Sequence, residues 1–373
     1  MKTSGTRVAT AVAAASALLA AGALSACGTN DEGSGDSGGG GGDSATIALL
    51  LPETKTTRYE EQDKPNFERR VKALCADCKV AYANANQDPA KQQQQAEAAI
   101  TKGAKALVIS AVDVKSAGAI VQRAKQAKVP VIAYGRLIPD QDIDYYVSID
   151  PYQVGVQQAE VLMKKLDAQG KKNPRIVMIN GAPTDSNAKP YKDGAMSVFK
   201  KQGARVVKSY DTPDWSPDKA QQEMDQSITS EGKDGFDAVY VANDGMASGA
   251  IAALDGAGID PKTRPVTGQD AELAGVQRVL AQEQLMTVYQ PLKDLASSAA
   301  ELAVPLAQGK DAPGDLAKDK VDNGKEKVPS VLLDTIAIQP DNVQSTVVKD
   351  GFLKASAICT KAYAQACKEA GVK

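Results

Sequence analysis

The sequence predicts an α/β fold with two lobes, each built around a parallel sheet that helices cover on both faces. From Ala45 onward, short and continuously apolar runs alternate with amphipathic helical stretches, a pattern typical of strands that are buried on both faces. The series contains more of these units than the roughly six strands of one doubly wound sheet. The 373 residues are therefore expected to form two domains of ordinary size.

The predicted strands and helices follow each other in order along the chain. In the first half the strand-like runs are ATIALLL, KVAYANA, KALVISA, VPVIAYG and YYVSID, with helices predicted over Tyr59–Leu74, Asp88–Lys102 and Val114–Ala127. In the second half they are RIVMING, ARVVKSY, DAVYVAND, RPVTGQD and QLMTVYQ, with helices predicted near Asn187–Lys201 and Pro217–Ser230 and over Ala247–Ala257 and Leu273–Ala281. The series restarts around Ser148–Tyr152, which predicts a boundary there.

The start of the chain resembles an export signal followed by a lipid-attachment site. A short basic segment precedes an apolar stretch from Val8 to Leu24. The sequence LSAC, which ends at Cys27, resembles the bacterial lipobox, where cleavage precedes a cysteine that becomes diacylated. We expect residues 1–26 to be a lipoprotein signal peptide and residues 27–44 to be a lipidated Gly/Ser tether that anchors an exported body to the outer face of the cell membrane. An ordinary signal peptide with a chance cysteine is the alternative.

The four remaining cysteines suit an oxidising compartment. We expect disulfides between Cys75 and Cys78 and between Cys359 and Cys367, although sequence alone permits other pairings. One straight helix would separate Cys359 from Cys367 by about 12 Å, which is beyond disulfide reach, so this pairing predicts a helix break between them. A thioredoxin-like redox pair is the competing interpretation of CADC, but CADC follows a predicted helix, whereas a redox pair normally begins one.

Composition argues against several classes of function. The chain has no histidine, which removes Ser-His-Asp and Cys-His catalysis and the usual imidazole metal ligands. A formal net charge of −2 and an aromatic content of 4% favour neither nucleic acid nor an anionic membrane surface as a partner. We expect no metal, no cofactor and no enzymatic activity, while carboxylate or lysine chemistry stays an open alternative.

Polar side chains follow nearly every predicted strand. Ligands of open α/β sheets bind beyond the carboxyl ends of the strands, so the candidate binding residues are Lys55, Arg58, Tyr59, Arg136, Asp185, Asn187, Trp215, Asn243, Asp244, Gln269, Asp270 and Gln290. Forked donors and acceptors match adjacent hydroxyl groups, and an indole can cover the apolar face of a sugar ring. This mixture, without a large surplus of either charge, predicts a small neutral polyol as ligand.

Each candidate also has a purely structural interpretation. Asp185, Asp244 and Asp270 precede predicted helices and could be N-caps. Trp215 could be a core residue, and the two candidate arginines could form surface ion pairs. The binding-site interpretation is favoured because strand ends from both halves carry complementary hydrogen-bonding groups.

From about Ala45 to Lys354 the sequence resembles the type I sugar-binding proteins of ABC importers, and among them it is most similar to the xylose-binding proteins. The segments that carry the resemblance are AYGRLIPDQDIDYYVSID, GAPTDSNAK, VANDGMASGAI, GQDAELAGVQRV, MTVYQPL and VKDGFLK. The resemblance implies two Rossmann-like lobes joined by a three-crossover hinge, the type I periplasmic binding protein architecture. It implies an N-terminal lobe of residues 45–150 plus 291–335, and a C-terminal lobe and tail of residues 151–290 plus 336–373.

The resemblance also implies the contacts to a bound sugar. Carried onto matching positions they are Arg58, Arg136, Asp185, Asn187, Trp215, Asn243 and Asp270, with Tyr59 in the wall of the site and Gln290 at a crossover. Two positions depart from the xylose-binding pattern: Gly135 stands in place of an aspartate, and Gln290 in place of a lysine. Because Gly135 leaves extra room, a ligand with an added hydroxymethyl group, such as glucose or galactose, is an option beside xylose.

Several functions are compatible with these observations. The leading hypothesis is a lipid-anchored monomer that captures a monosaccharide by hinge closure and delivers it to an ABC transporter permease. The alternatives are a sugar-sensing partner of a membrane kinase and a carboxylate-based glycosidase that would use Asp185 and Asp270. The effector-binding half of a repressor would need a helix-turn-helix at the start, where this chain has a signal-like segment.

Overall fold

The computed structural model describes residues 44–373. The expected signal peptide and the expected lipid-attachment residue, Cys27, therefore lie outside the described residues. Within the described range, none of the helices combines the length and the apolar composition that crossing a bilayer requires.

The first sheet has seven strands within the described range. They are β1 (Thr46–Leu51), β2 (Lys79–Asn84), β3 (Ala106–Ile109), β4 (Val131–Tyr134), β5 (Tyr145–Ile149), β10 (Asp319–Asp322) and β11 (Lys327–Leu333), in the order β10-β11-β5-β4-β3-β1-β2. All neighbouring strands are parallel except β10 and β11. The helices that accompany this sheet are α1 (Lys64–Leu74), α2 (Pro89–Thr101), α3 (Gly118–Gln126) and α9 (Leu292–Ala307). The order 2-1-3-4-5 is typical of doubly wound sheets, whose ligands bind at the carboxyl edge.

The second sheet consists of β6 (Arg175–Asn180), β7 (Arg205–Asp211) and β8 (Ala238–Val241), in the parallel order β7-β6-β8. Its helices are α4 (Pro151–Ala168), α5 (Ala188–Lys201), α6 (Pro217–Glu231), α7 (Asp244–Gly256) and α8 (Leu273–Leu280). The mostly parallel α/β architecture that the sequence predicted is confirmed in both sheets.

One predicted strand is reduced to a single bridge. The run RPVTGQD pairs with β8 only through Val266 and Val239. The side chain of Thr267 takes over the next position of the ladder, because its hydroxyl accepts the Val241 N–H at 2.8 Å and donates to the Val241 carbonyl at 3.0 Å. The backbone beyond Thr267 is thereby released from the sheet and turns towards the space between the lobes.

The chain passes between the two sheets after β5, after β9 (Thr287–Tyr289) and before β12 (Ile336–Ile338). The last two strands pair antiparallel, so the second and third passages run side by side. Thr335 and Gln157 exchange two hydrogen bonds of 3.0 and 3.3 Å, which attach the third passage to α4. We keep the predicted boundaries as a working definition: the first lobe is residues 45–150 with 291–335, and the second lobe is residues 151–290 with 336–373.

Local sequence signals explain how the second lobe begins. Asp150 is the N-cap of α4, and its carboxylate accepts the backbone N–H groups of Tyr152 and Gln153 at 2.9 and 3.2 Å. Pro151 occupies the first helical position, where proline is favoured because no intrahelical N–H bond is lost there. Gly155 then allows α4 to approach α5 closely, since an added Cβ would lie 2.0 Å from the Tyr191 carbonyl oxygen. This approach brings the start of α5 to the edge of the cleft.

Both expected disulfides are present. Cys75 and Cys78 are bridged with a Cα–Cα distance of 5.2 Å, and Cys359 and Cys367 with 5.8 Å. The second bridge spans a break between α10 (Ala355–Ile358) and α11 (Ala364–Ala370), which is the break that this pairing requires. The tail packs against α8.

Candidate functional site

Strand ends from both lobes face one cavity. It is lined by all nine residues that the family resemblance implied for the site: Arg58, Tyr59, Arg136, Asp185, Asn187, Trp215, Asn243, Asp270 and Gln290. The rest of the lining is Thr56, Tyr134, Gly135, Ser148, Ile149, Tyr191, Gln269 and Leu295. The space open to the centre of a water molecule measures about 40 Å³.

Arg58 is held by its own lobe and reaches towards the other. Its Nε and Nη2 each donate to one carboxylate oxygen of Asp63 at 2.9 Å, and the Tyr134 hydroxyl donates to the same carboxylate. Its Nη1 donates to Oε1 of Gln290 at 2.8 Å and lies 3.9 Å from Oδ1 of Asp270. Because Asp63 is only 1% exposed, this forked, charge-assisted contact fixes the plane of the guanidinium group.

Arg136 joins the two lobes. Its Nη1 donates to the Ala111 carbonyl at 2.8 Å, and its Nε lies 2.7 Å from Oδ2 of Asp185 in the second lobe. The Nε–H of Arg136 is not aligned with that oxygen, so the contact is an ion pair without a hydrogen bond. Both side chains are buried, and loss of either would leave a buried charge unpaired.

The loop before α5 supplies two further polar groups. Oδ1 of Asp185 accepts the backbone N–H of Asn187 at 2.9 Å. Nδ2 of Asn187 donates to the Gly135 carbonyl of the first lobe at 2.8 Å. Asp185 therefore organises a local turn and also faces Arg136 of the first lobe. Its structural interpretation as a cap and its interpretation as a binding residue can both be correct.

Asp270 is aimed into the cavity by an unusual backbone conformation. Its φ of +91° lies in a region that non-glycine residues rarely adopt, and Ala271 follows at +48°. Such conformations persist only where the surrounding structure enforces them, and they concentrate at functional sites. The N-cap of α8 is Glu272, so Asp270 is not a helix cap. Burial raises the pKa of Asp270, while Arg58 and a hydrogen bond from Gln269 act in the opposite direction.

Gln290 and Asn243 support Asp270 from two sides. Gln290, at the second passage between the lobes, donates from Nε2 to Oδ1 of Asp270 at 2.9 Å. Asn243 caps α7, because its Oδ1 accepts the Met246 N–H at 3.0 Å. Using the oxygen as the cap leaves the amide N–H groups of Asn243 for the cavity side, where Asn243 lowers the pKa of Asp270.

Trp215 presents its ring to the cavity from a strained turn. Asp214 and Trp215 both have positive φ, at +62° and +52°. The indole lies directly on Gly181, where an added Cβ would come within 2.1 Å of the ring. Tyr191 meets the indole edge to face, with 6.4 Å between the ring centres. Gly181 is therefore required so that the ring can lie flat at the end of β6.

Tyr59 forms part of the wall between the two arginines. The guanidinium carbon of Arg58 lies 5.4 Å from the centre of the Tyr59 ring, within range of a cation–π contact. Burial raises the pKa of Tyr59 to about 12, against the influence of Arg136 and Arg58. The phenol is therefore protonated at neutral pH, and its hydroxyl can donate as well as accept.

Several direct hydrogen bonds across the cleft describe a closed arrangement of the lobes. Beside the Asn187 contact, the Val114 N–H donates to the Thr184 carbonyl at 3.1 Å, and Gln87 donates to the Asp214 carbonyl at 3.3 Å. These bonds can exist only while the two lobes are together.

Three buried polar atoms in the lining have no hydrogen-bond partner within the protein: Nε of Arg136, Nε1 of Trp215 and Oε1 of Gln269. Buried polar atoms are nearly always hydrogen-bonded, and one left unpaired costs about 1–3 kcal/mol. All three belong to residues of the cavity lining, and Nε of Arg136 keeps its ion-pair contact with Asp185.

Two of the strand-end candidates lie elsewhere. Lys55 is exposed and outside the cavity lining. Asp244 is buried within the second lobe, where its carboxylate accepts from Gln284 at 2.7 Å and Thr287 at 2.8 Å. Asp244 follows Asn243 directly, but the start of α7 turns the two side chains in different directions, which the strand pattern does not predict.

Two residues that support the site, Asp63 and Glu53, were not predicted from the sequence. Asp63 lies within the helical segment that follows Arg58, where an acidic residue gives no sign that it faces the core. Glu53 follows β1, and its Oε2 accepts the N–H groups of Lys55 and Thr56 at 2.6 and 3.0 Å. This buried carboxylate organises the turn that carries Arg58. Because Glu53 follows a strand end, the same strand-end rule could have identified it from the sequence.

Among residues 44–373, no group of three or more metal-ligating side chains is arranged to hold an ion. The cavity instead combines two guanidinium groups, two carboxylates, several amides and aromatic walls. Such a set can enclose a small polar ligand and hydrogen-bond it from both sides.

Two α/β lobes, three passages between them and one polar cavity at the facing strand ends define a solute-binding protein of the periplasmic type I fold. The family model described as "Periplasmic binding protein domain" matches residues 47–311. The chain belongs to this family.

Three comparisons make the relationship more specific. The chain is 36% identical over 314 residues to the D-xylose-binding periplasmic protein of Escherichia coli K12, covering 83% of this chain and 91% of that protein. It is 34% identical over 329 residues to the multiple sugar-binding periplasmic receptor ChvE of Rhizobium radiobacter, covering 84% and 92%. It also superposes on an ABC transporter solute binding protein from Clostridium phytofermentans, crystallised with beta-D-glucose, with a TM-score of 0.74, 30% identity and coverage of 84% and 99%. These relatives are binding proteins and not enzymes.

Proposed function

We propose that this chain is a lipid-anchored extracytoplasmic receptor that captures one aldopyranose by hinge closure and delivers it to an ABC sugar permease. The proposed ligand contacts are Arg58, Arg136, Asp185, Asn187, Trp215, Asn243 and Asp270, with Tyr59 as wall and Gln290 at the hinge. The proposal has three parts, which concern the ligand, the closure and the delivery.

The observation that carries the ligand assignment is the mixture of hydrogen-bond donors and acceptors that lines the cavity: two guanidinium groups, two carboxylates and four side-chain amides. A hydroxyl group both donates and accepts from one atom, so a small polyol can hydrogen-bond every kind of group in this set. Each arginine already has an aspartate partner, at 2.9 Å for Arg58 and 2.7 Å for Arg136, which disfavours a strongly charged ligand.

The size and shape of the cavity favour a monosaccharide. The cavity is small and is closed by residues of both lobes, and the Trp215 indole provides a flat apolar surface for the C–H face of a pyranose. The relatives named for xylose, for several sugars and for glucose support the same class. Gly135 lines the cavity without a side chain, where the xylose-binding pattern has an aspartate, so both a pentose and a hexose are candidates.

A sugar is expected to favour closure of the lobes because it binds the closed form more tightly than the open form. The contacts come from both lobes, so only the closed form makes all of them, and a sugar shifts the population towards that form. Arg58 and Arg136 supply the first lobe's share, and the second lobe supplies the acidic, amide and indole groups. Gln290 bonds Arg58 on one side and Asp270 on the other, so its position at a passage between the lobes couples the ligand site to the hinge.

The anchor and the delivery step are inferred from the sequence and the family. The LSAC segment ending at Cys27 and the following glycine-rich stretch are typical of a lipidated tether. Incorporation of a labelled fatty acid that is lost in Cys27→Ala tests the anchor, and unaltered labelling in that variant would contradict it.

The experiment that tests the ligand is a thermal-shift panel of monosaccharides on the full chain. A sugar at 100 times its Kd stabilises the folded state by about 2.7 kcal/mol. We expect stabilisation by at least one of D-xylose, D-glucose and D-galactose and none by sugar phosphates. A panel in which no neutral sugar raises the Tm would contradict the proposed ligand class.

A further inference from the structure

A carboxylate bridges the two lobes outside the ligand cavity. Oε1 of Glu272, in the second lobe, accepts the backbone N–H of Thr57, in the first lobe, at 3.0 Å. Glu272 is not part of the cavity lining, and both residues are half-buried. The bond therefore depends on the closed arrangement but not on direct contact with the ligand.

The backbone of the second lobe aims this carboxylate away from its own helix. Glu272 is the N-cap of α8, yet its side chain makes no capping hydrogen bond, although a cap residue normally bonds the first turn. Its own N–H donates to Oδ2 of Asp244 at 3.0 Å, and the two preceding residues have positive φ. This strained turn directs Asp270 into the cavity and Glu272 to the opposite lobe.

The Thr57 amide, which donates to Glu272, is held in place by its own lobe. The N–H groups of Lys55 and Thr56 bond Glu53, so the turn that contains Thr57 is ordered within its own lobe. Thr57 directly precedes Arg58, whose guanidinium group reaches the cavity. A bond to the Thr57 amide therefore holds the segment that positions a proposed ligand contact.

Charged groups from both lobes surround Glu272. Asp244, Asp270 and Arg278 act on it from the second lobe, and Arg58 and Glu61 of the first lobe line the same small space. Burial and the carboxylates of Asp244 and Asp270 raise the pKa of Glu272 well above its usual range, against the Thr57 N–H and Arg278. Opening of the cleft would expose the carboxyl group of Glu272 to water. The groups described above that bond Asp244 all lie in the second lobe, so opening would leave the surroundings of Asp244 unchanged.

We propose that Glu272 is a positioning residue for closure, a latch that holds the two lobes together through the Thr57 amide and makes ligand affinity depend on pH. The inference rests on the proposed function only for the identity of the ligand. Three other bonds across the cleft also lie outside the cavity lining and join uncharged groups: Gln62 to the Phe352 carbonyl at 3.0 Å, Gln87 to the Asp214 carbonyl, and the Val114 N–H to the Thr184 carbonyl. The bond of Glu272 differs from these three because its acceptor is an ionisable group.

The direction of the pH effect follows from the raised pKa in the closed form. Closure favours the protonated carboxyl group, which still offers its carbonyl oxygen to the Thr57 N–H. Binding should therefore take up protons, and affinity should fall as pH rises through the closed-form pKa. A glutamine at position 272 keeps the acceptor and cannot ionise, so it imitates the protonated state.

The test compares Glu272→Gln and Glu272→Ala with the unaltered chain, and uses Glu160→Gln, an exposed position on α4, as the matched control. Calorimetric titration with D-glucose and D-xylose, from about pH 5 to pH 8 in buffers of different ionisation enthalpy, measures affinity and proton uptake. Small-angle scattering of the ligand-free chains reports the fraction that is closed without any sugar.

For the unaltered chain and Glu160→Gln we expect proton uptake on binding and weaker affinity at the higher pH. Glu272→Gln should take up fewer protons and keep its affinity at high pH. At about pH 5, Glu272→Ala should bind about two- to tenfold more weakly, as expected for one lost hydrogen bond. A purely structural role would lower the Tm of the ligand-free variants and leave proton uptake unchanged.

Two results overturn the inference. One is proton uptake in Glu272→Gln equal to that of the unaltered chain. The other is an affinity of Glu272→Ala at about pH 5 equal to that of Glu160→Gln at the same pH. If neither sugar binds the unaltered chain, the proposed ligand is wrong, and scattering then decides the latch: a larger radius of gyration in Glu272→Ala than in Glu160→Gln supports it, and identical radii overturn it.

Discussion

Arg136 of the first lobe and Asp185 of the second lie with Nε and Oδ2 2.7 Å apart, and this ion pair spans the cleft at the point where the ligand would bind. The pair links ligand capture to closure, since neither charge has the same partner once the lobes separate. Both residues also line the cavity, so a bound ligand would lie beside this pair.

Arg136→Ala should weaken sugar binding by about 2–5 kcal/mol, because it leaves Asp185 as a buried charge without its partner. Calorimetric titration measures the loss. Arg123→Ala, at an exposed position of α3, is the control and should bind as the unaltered chain does. Equal affinities for the two variants would remove Arg136 from the site.

Asp63→Asn should reduce both stability and affinity, although Asp63 does not line the cavity. The substitution breaks the forked contact that orients Arg58 and leaves a buried cation partly unpaired, a change that costs about 3–5 kcal/mol when such a pair is broken. Urea unfolding and sugar titration measure the two effects. Asp77→Asn, at an exposed position of the same lobe, should change neither; loss of stability without any loss of affinity would contradict the positioning role.

Gly181→Ala should displace the Trp215 ring, because the new Cβ would lie 2.1 Å from it. We expect weaker sugar binding and a changed tryptophan emission, since Trp215 is the only tryptophan in the chain. Gly256→Ala, where an added Cβ meets nothing within 4 Å, is the matched control. An emission spectrum and affinity that match this control would show that the indole is placed differently.

Removal of the tail disulfide should lower stability and leave sugar affinity unchanged. The bridge closes a loop of 8 residues, for which the chain-entropy estimate is about 2–3 kcal/mol. The double variant Cys359→Ser/Cys367→Ser should therefore unfold at lower urea concentration. An affinity loss in this variant would instead connect the tail to closure.

Much of the site could be predicted because the strands of a parallel sheet end at one edge. Once VPVIAYG was interpreted as a strand, Arg136 had to lie at its carboxyl end, and the same reasoning located Asp185 and Asn243. Side-chain direction within a helical turn was harder. Asn243 and Asp244 are neighbours in sequence, yet one faces the cavity and the other faces the core of its lobe.

The amino-acid sequence alone determined the order of strands and helices, the restart of the series near Ser148 and the strand-end residues of the cavity, because these depend on local periodicity and on polar residues at fixed places in it. Tertiary structure decided what those residues contact. The Asp63 carboxylate holds Arg58, Gly181 makes room for Trp215, and Thr57 meets Glu272 across 215 positions of the chain. Such pairs form only when separate segments pack together, and their geometry depends on distances that no local pattern contains.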